Sequence, residues 1–292
     1  MNENLKQSTA MRILLFLIIL FVSGLIGAAI SAFFMFAGDT GMKIAQGLSS
    51  IMMFVVPPIV YYYVTRKENQ LRDLGFRPVS QPWPLYILLG VAMMFVSLPV
   101  TNQLGAWNEG IRLGGVFERL GDMMKALEEQ AAELTERMLT VDTFSGMLFN
   151  LLIIALIPAV GEELTFRGVL QQSLTRGLKN PHVAIVLSAA IFSFIHFQFL
   201  GFLPRMFLGI LLGYMFYVSG SLWTSILMHF VNNGTAVVVY YLNHKGIINV
   251  DVDHFGAMSP TMVAVSAVVT AALIIICWKK SLKSPLPSAP RS

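Results

Sequence analysis

Residues 151–170, LLIIALIPAVGEELTFRGVL, place two acids and an arginine inside an otherwise apolar helical stretch. These residues are Glu162, Glu163 and Arg167. A charged side chain at membrane depth costs from about 3 to more than 10 kcal/mol, so such residues are rare and usually face a polar cavity. The stretch therefore predicts a membrane-spanning helix that contributes to a polar site.

Two further apolar stretches carry polar residues of the same kind. His196 lies in AIFSFIHFQFL, residues 190–200, and His229 precedes Asn233 in SILMHFVNNG, residues 225–234. Ionisable groups on three separate apolar helices favour one shared functional site. For either histidine taken alone, the simpler interpretation is an interior polar residue satisfied by a hydrogen bond.

The composition places the whole chain in a membrane. Hydrophobic residues make up 55% and charged residues 12% of the 292 residues, and the mean hydropathy is +0.69. A soluble domain carries about 25% charged residues, so we expect an all-α polytopic helix bundle in the cell (plasma) membrane. The net charge of +4 does not predict nucleic-acid binding, because the basic residues lie at the ends of the apolar stretches. The single cysteine, Cys277, excludes an intramolecular disulfide framework.

Eight stretches are apolar and long enough to cross a bilayer, which needs roughly 20 helical residues. The first is too long for a signal-peptide core and is predicted to remain as an anchor, and Pro57-Pro58 should kink the second. The tail after Trp278 is rich in Pro, Ser and basic residues and is predicted to be disordered. The eight predicted spans are Met11–Phe36, Ile44–Val64, Leu85–Leu104, Phe144–Arg176, Val183–Leu200, Pro204–Val218, Leu222–Leu242 and Met262–Trp278.

Lysine and arginine are distributed unevenly between the two sides of this bundle. With a cytoplasmic N-terminus, 13 of the 20 basic residues fall in cytoplasmic segments and 7 on the opposite side. This excess predicts that both termini face the cytoplasm. The chain then divides into three N-terminal spans, an extramembrane segment, a helical core, a last loop with its span, and a tail: residues 1–107, 108–143, 144–242, 243–278 and 279–292.

Residues 108–143 form the only substantial segment outside the predicted spans. Apolar residues recur there at steps of three and four, which predicts an amphipathic helix. The segment carries eight of the sixteen acids of the chain, so it is not expected to adsorb tightly to anionic lipid. It is either a solvated helix lying over the bundle or a lid or substrate-docking surface. Its apolar positions are Leu120, Met123, Met124, Leu127, Ala131, Leu134 and Met138.

The fourth and fifth spans should form an antiparallel hairpin, because Gly177 and Pro181 interrupt the chain between them. Glu162 and His196 each lie 17 residues from the centre of that hairpin, so equal arms place them at one level. The rise from Gln171, near the polar tip, puts that level roughly 13 Å deep. The predicted site is therefore submerged but open toward the cytoplasm.

The spacing of the residues in the acid cluster predicts different roles for its two carboxylates. Glu163 and Arg167 stand four residues apart, so carboxylate and guanidinium can pair on one helix face. Glu162 points about 100° away from Glu163 and is left for the cavity. There Pro158, four residues earlier, frees a carbonyl and makes room for water. A carboxylate in that position suits a general base.

His229 and Asn233 also share one helix face at a four-residue spacing. Together they present donors to one point, which suits the stabilisation of an oxyanion. His196 is placed to position the attacking water or to share its proton. Phe192, four residues before His196, would form a wall of the same cavity.

In this order, the three motifs resemble those of a known family. E-E-x-x-x-R at 162–167, F-x-x-x-H at 192–196 and H-x-x-x-N at 229–233 are similar to the motifs of the CAAX-processing and bacteriocin-protecting (CPBP, or Abi) intramembrane proteases, which include the type II CAAX prenyl endopeptidases. The resemblance covers residues 144–242, about a third of the chain. The set of three motifs is specific, whereas any one alone would be weak.

The resemblance implies an intramembrane endopeptidase that hydrolyses peptide bonds of membrane-associated substrates. By resemblance, Glu162 and His196 would activate water. His229 and Asn233 would bind the oxyanion, and Glu163 and Arg167 would order the site. The family has been described both as metalloproteases and as glutamate-dependent proteases. We favour catalysis without a cofactor, and the alternative is zinc held by Glu162, His196 and His229.

Two other functions fit the same residues. A proton-coupled membrane carrier also buries Glu, His and Arg, although the inverted repeats and paired broken helices that would favour a carrier are not evident in the sequence. A catalytically silent membrane scaffold would keep the motifs for structure alone. The expected partners are the lipid bilayer and a peptide or protein substrate, with no nucleic acid.

Overall fold

The computed structural model describes residues 9–34, 36–65, 70–79, 83–111, 114–249 and 259–281. These residues form helices and no strand, so the predicted all-α fold is confirmed. In chain order the helices are α1 (Thr9–Ala32), α2 (Gly38–Thr65), α3 (Gln70–Leu74), α4 (Trp83–Val96), α5 (Leu98–Glu109), α6 (Glu118–Leu139), α7 (Phe144–Leu178), α8 (Pro181–Phe194), α9 (Phe202–Ser219), α10 (Leu222–His244) and α11 (Pro260–Ser281).

Six helices of the described ranges are long and apolar enough to cross a membrane, so the chain is a multi-pass membrane protein. They are α1, α2, α7, α9 with the turn before it, α10 and α11. The predicted third span is a bent pair, α4 and α5, which meet at 43° and would count as a seventh. Pro99 near the start of α5 explains the bend, because its ring clashes with the preceding helical turn. The predicted count of eight is thus not confirmed.

Helix α8 is the predicted span that falls short. It ends at Phe194 rather than at Leu200, and its 14 residues cover about 21 Å of a bilayer core that is roughly 30 Å thick. The chain then turns through His196 and Phe197, where Phe197 has a φ of 53°. Hydropathy did not reveal this turn, because most residues on both sides of it are apolar.

Three π-helical turns widen the two longest helices. They are Ile51–Val55 in α2, and Leu151–Leu156 and Leu164–Gln171 in α7. The first two precede prolines, Pro57 and Pro158, whose rings cannot fit the regular hydrogen-bond pattern of the preceding turn. Such wide turns are rare and often mark functional sites. The pair of acids in α7 lies between two of them.

The hairpin of α7 and α8 is set by the residues of its turn and by a contact between its two helices. Lys179 adopts a left-handed conformation with φ of 54°, and the Asn180 side chain then accepts hydrogen bonds from the first amides of α8. Along the arms, Ser188 Oγ donates to the Phe166 carbonyl at 3.2 Å. This register puts residue 162 opposite residue 192, one helical turn before His196, so the common level that the equal arms predict is off by four residues.

The two ends of the bundle gather different parts of the chain. One end holds the start of α1, the segment 70–79, the α7–α8 turn and the α9–α10 turn. There a side chain on Gly177 would collide with Thr9, and Ser221 Oγ donates to the Arg77 carbonyl. The opposite end holds α6 and its neighbours. It is tied by contacts between Arg137 and Asp39, Asn108 and Phe199, and His244 and Asp142.

Helix α6 exposes most of its predicted apolar positions. Met123 is 58% and Leu127 45% exposed, and Leu120 and Leu134 are exposed as well, whereas Met124 and Ala131 are half-buried and Met138 is buried. The side that faces the bundle is mixed and includes Glu128, Glu136 and Leu139. An outward apolar face at one end of a membrane bundle is suited to contact with lipid.

Parts of four predicted segments lie outside the described residues. These parts are residues 1–8, 35, 66–69 and 80–82 of the N-terminal segment, residues 112–113 of the amphipathic segment, residues 250–258 of the last loop and residues 282–292 of the tail. The first residues of the predicted tail, 279–281, belong to α11, which ends at Ser281. Helix formation therefore continues past Trp278 through the two lysines that close the last turn.

Candidate active site

Glu163, Arg167 and His229 form one buried cluster where α7 meets α10. Arg167 Nη1 donates to Glu163 Oε1 at 2.6 Å, and His229 Nδ1 lies 3.0 Å from the same oxygen. All three side chains are at most 3% exposed. The Glu163–Arg167 contact is the one that the four-residue spacing predicts, and it lets a charged group stay buried because a partner neutralises it.

Arg167 is held on three sides. Its Nη2 donates to the Gly209 carbonyl at 2.8 Å, and its guanidinium lies 5.2 Å from the centre of the Phe192 ring. One turn further along, Gln171 Nε2 donates to the Gly213 carbonyl at 3.0 Å. In the sequence the two glycines indicate only close helix packing. In the structure their carbonyls also serve as acceptors, since no side chain covers them.

Glu162 lies beside His229 in a different environment from Glu163. Its Oε2 is 3.7 Å from His229 Nε2, which is too long for a direct hydrogen bond. Glu162 is 8% exposed, whereas Glu163 is completely buried. The two neighbouring acids therefore differ in what they face. Glu163 meets a buried cation, and Glu162 meets an imidazole across a gap.

His196 reaches this cluster through Phe192. The His196 Nδ1 lies 2.7 Å from the Phe192 carbonyl, which can only accept, so Nδ1 carries the proton and Nε2 is left as an acceptor. The Phe192 ring meets the His196 and His229 rings edge-on, with centroids 5.0 and 6.1 Å away. Within the described ranges, no hydrogen bond or ion pair joins His196 directly to Glu162.

Asn233 follows His229 by one turn of α10. Its Oδ1 accepts a hydrogen bond from Asn232 Nδ2 at 3.1 Å. The amide nitrogen of Asn233 is therefore the group it can offer as a donor. In the described part of the chain, Asn233 makes no hydrogen bond to Glu162 or to either histidine.

The residues of the zinc alternative do not converge. Among the described residues, no three His, Cys, Asp or Glu side chains are placed to hold one metal ion. His196 directs Nδ1 to a backbone carbonyl, and His229 directs Nδ1 to Glu163. These Nδ1 contacts leave both Nε2 atoms free, as in zinc-bound imidazoles, but Glu162, His196 and His229 are not placed to hold one ion, so they do not form a tetrahedral zinc site in this arrangement.

Arg205 and Gln198 lie next to the cluster and escaped the sequence motifs. Arg205 Nη2 donates to Gln198 Oε1 at 2.8 Å, and its Nη1 donates to the Gln198 carbonyl at 3.3 Å. The guanidinium also interacts electrostatically with the carboxylates of Glu162 and Glu128. The available signal was a lone arginine in an apolar stretch, which sequence reasoning assigned to a span end.

Comparison with known proteins supports the resemblance that the motifs carry. The searches of curated proteins and of solved structures found no match. The family model described as type II CAAX prenyl endopeptidase Rce1-like matches residues 144–235, a range that contains all three motifs. Residues 144–235 are therefore Rce1-like, which confirms the resemblance to the CPBP (CAAX-processing) family for this part of the chain.

Proposed function

We propose that this protein is an intramembrane endopeptidase of the CAAX type, with Glu162 as its general base. The observation that carries the proposal is the 3.7 Å gap between Glu162 Oε2 and His229 Nε2 within the Rce1-like region. This separation leaves no room for a water molecule between the two atoms, but one water molecule lying beside them can hydrogen-bond to both groups. Such a water lies where a carboxylate can take its proton during attack on a carbonyl carbon.

The proposed reaction has two proton transfers. Glu162 takes a proton from the water as its oxygen bonds to the carbon of the scissile peptide, and the carbonyl oxygen becomes an oxyanion. When the tetrahedral intermediate collapses, the C–N bond breaks and Glu162 returns the proton to the leaving nitrogen. His196 positions the water, because its Nε2 is left as an acceptor.

His229 and Asn233 are proposed to hold the oxyanion. Glu163 fixes the orientation of the His229 ring through Nδ1, so that Nε2 points to the gap beside Glu162. In its protonated form the ring then donates from Nε2 while Nδ1 stays on Glu163. Asn233 supplies the second donor from the same helix face. Donors fixed in this way do not need to reorganise when charge develops on the oxyanion.

Purified full-length protein in neutral detergent provides the test. It is incubated with a library of internally quenched peptides, and the products are identified by mass spectrometry. We expect cleavage by the wild type and none by Glu162→Gln at matched folding. In parallel, proteoliposomes with a pH-sensitive dye test the carrier alternative. Proton uptake driven by a peptide or solute, without any cleaved product, would overturn the protease in favour of a carrier.

We further propose that both termini face the cytoplasm of a cell with this protein in its plasma membrane. Support comes from the end of the bundle that holds the α7–α8 turn, because Arg72, Arg77 and Arg176 lie there and such an excess marks the cytoplasmic side. Single cysteines at Leu71 and Gln130 are treated with an impermeant thiol reagent in intact cells. We expect Gln130→Cys to react and Leu71→Cys to react only after permeabilisation. The native Cys277 is buried and adds little background.

A further inference from the structure

A cleft of about 1130 Å³ opens between α6, the α4–α5 pair and α10, at the end of the bundle opposite the α7–α8 turn and not on the cytoplasmic side that the sequence predicts for access to the site. Its wall on α10 extends from Val231 to His244, which is about 20 Å of helix. Pockets for small molecules usually measure about 300–1,000 Å³. The cleft is larger, and its length accommodates roughly six residues of an extended peptide at about 3.3 Å each.

One end of this cleft adjoins the candidate active site. Asn232 lies in the wall and donates to Asn233 at 3.1 Å. Gln198 also lies in the wall and accepts a hydrogen bond from Arg205, whose guanidinium interacts with Glu162. Glu162 itself does not line the cleft, so a chain lying there would end one layer of side chains, those of Gln198 and Asn232, away from the candidate active site.

The wall formed by α6 carries three carboxylates, Glu128, Glu133 and Glu136. Glu128 is engaged at the site end, where it accepts from the Leu200 amide at 3.3 Å and faces Arg205. Glu133 and Glu136 are exposed, and no ion pair within the described ranges engages either of them. They lie about 8 to 12 Å along α6 from Glu128.

The cations on the same helix do not neutralise these two acids. Arg137 pairs with Asp39 at 2.7 Å, and Lys125 pairs with Glu129 at 3.7 Å. On the facing wall, Asn102 Nδ2 is buried and has no hydrogen-bond partner within the described residues. An amide donor of this kind suits a peptide carbonyl, whereas free carboxylates suit lysine or arginine side chains.

We propose that the cleft binds the substrate polypeptide in extended form, and that Glu133 and Glu136 select a segment that bears lysine or arginine. The assignment of the bound chain as substrate rests on the proposed protease function. The cation lies two to four residues from the end of the cleft beside Gln198, as the spacing along α6 requires. Because both carboxylates are exposed to solvent, the preference is modest and weakens with salt.

The experiment measures peptide binding apart from cleavage. Three dye-labelled eight-residue peptides differ only in two adjacent central residues, which are lysine, glutamine or glutamate. Fluorescence anisotropy gives Kd for full-length protein in dodecyl maltoside, a neutral detergent, at low and at high salt. The Glu162→Gln protein is used for the titrations so that no peptide is consumed. The wild type is assayed separately for cleavage of the same three peptides.

We expect the lysine peptide to bind roughly five- to tenfold more tightly than the glutamine peptide at low salt, and the glutamate peptide to bind most weakly. The double variant Glu133→Gln/Glu136→Gln should reduce the ratio between lysine and glutamine peptides to about one. The matched control is Glu118→Gln/Glu129→Gln, which removes the same charge from α6 outside the cleft and should preserve the ratio.

Equal binding of the three peptides, or no binding of any, overturns the proposal. An equal loss of selectivity in the control double variant overturns it as well, because the preference would then reflect net charge alone. Selective binding in a protein that cleaves nothing would leave the cleft assignment standing and refute the protease. Cleavage of the peptides without any charge preference would refute the cleft assignment and leave the protease function standing.

Discussion

The α7–α10 cluster and the α6 wall of the cleft use carboxylates in opposite ways. In the cluster, Glu163 is completely buried and has Arg167 and His229 within 3.0 Å. On α6, Glu133 and Glu136 are exposed and are not engaged by ion pairs in the described ranges. Breaking a buried pair is strongly destabilising, whereas exposed pairs contribute little. Substitutions in the cluster should therefore affect folding and activity together, while those on α6 should affect recognition alone.

The largest expected effect separates the two neighbouring acids of α7. Glu162→Gln should lower the turnover of a cleaved reporter peptide by about 100- to 10,000-fold, the range of a general base. Its stability should stay near that of the wild type, because Glu162 makes no direct hydrogen bond to His229 at 3.7 Å. The measurements are kcat on the reporter and Tm in detergent. Turnover at the wild-type level would remove Glu162 from its proposed role.

Glu163→Gln is the matched partner of that experiment. It leaves Arg167 as a buried cation without its carboxylate, which should lower the free energy of unfolding by about 3–5 kcal/mol. Activity should fall as well, since His229 loses the group that orients its ring. Denaturation of the two Gln variants in one detergent gives the comparison. Equal stability of both would show that burial does not distinguish these acids.

The next effect concerns the two proposed oxyanion donors on α10. His229→Asn and Asn233→Ala should each lower turnover by about 100- to 1,000-fold and leave measurable activity, because each removes one donor of two. A chelator should have no effect on the wild type. Zinc held by Glu162, His196 and His229 predicts instead that elemental analysis finds one zinc per chain, and that any single ligand substitution removes both metal and activity. The two patterns are distinct.

Sequence reasoning succeeded where the burial of side chains and their spacing along a helix allow only one arrangement of them. Four residues between Glu163 and Arg167 on one helix, at a depth where an unpaired charge is costly, leave pairing as the favourable outcome. The antiparallel pairing of α7 and α8 follows in the same way from the turn at Lys179 and Asn180, although the register differs by four residues from that of equal arms. The three motifs indicated the family, and the Rce1-like family model matches the range that contains them.

Sequence reasoning failed where an apolar residue can contact either lipid or protein, because both environments are apolar. The stretch around Phe194 is apolar apart from Ser193, His196 and Gln198, so hydropathy did not mark the end of α8. In α6 the pattern gives a helix with two faces, but lipid and protein core are equally apolar neighbours for one of them. Arg205 was missed because its partners, Gln198 and Glu128, are brought to it by the fold. Only tertiary contacts decide such cases.

The smallest expected effect tests the orientation of α6. Met123 and Leu127 point away from the bundle, so Met123→Gln and Leu127→Gln should each change the free energy of unfolding in detergent by less than about 0.5 kcal/mol. Met138 lies on the same helix but is buried at 6% exposure, and Met138→Ala should cost about 2–5 kcal/mol. The three variants are unfolded side by side in dodecyl maltoside. A large loss from Met123→Gln would mean that the apolar face packs on protein, and the carboxylates of α6 would then face away from the cleft. The orientation of one helix thus decides whether Glu133 and Glu136 can meet a substrate at all.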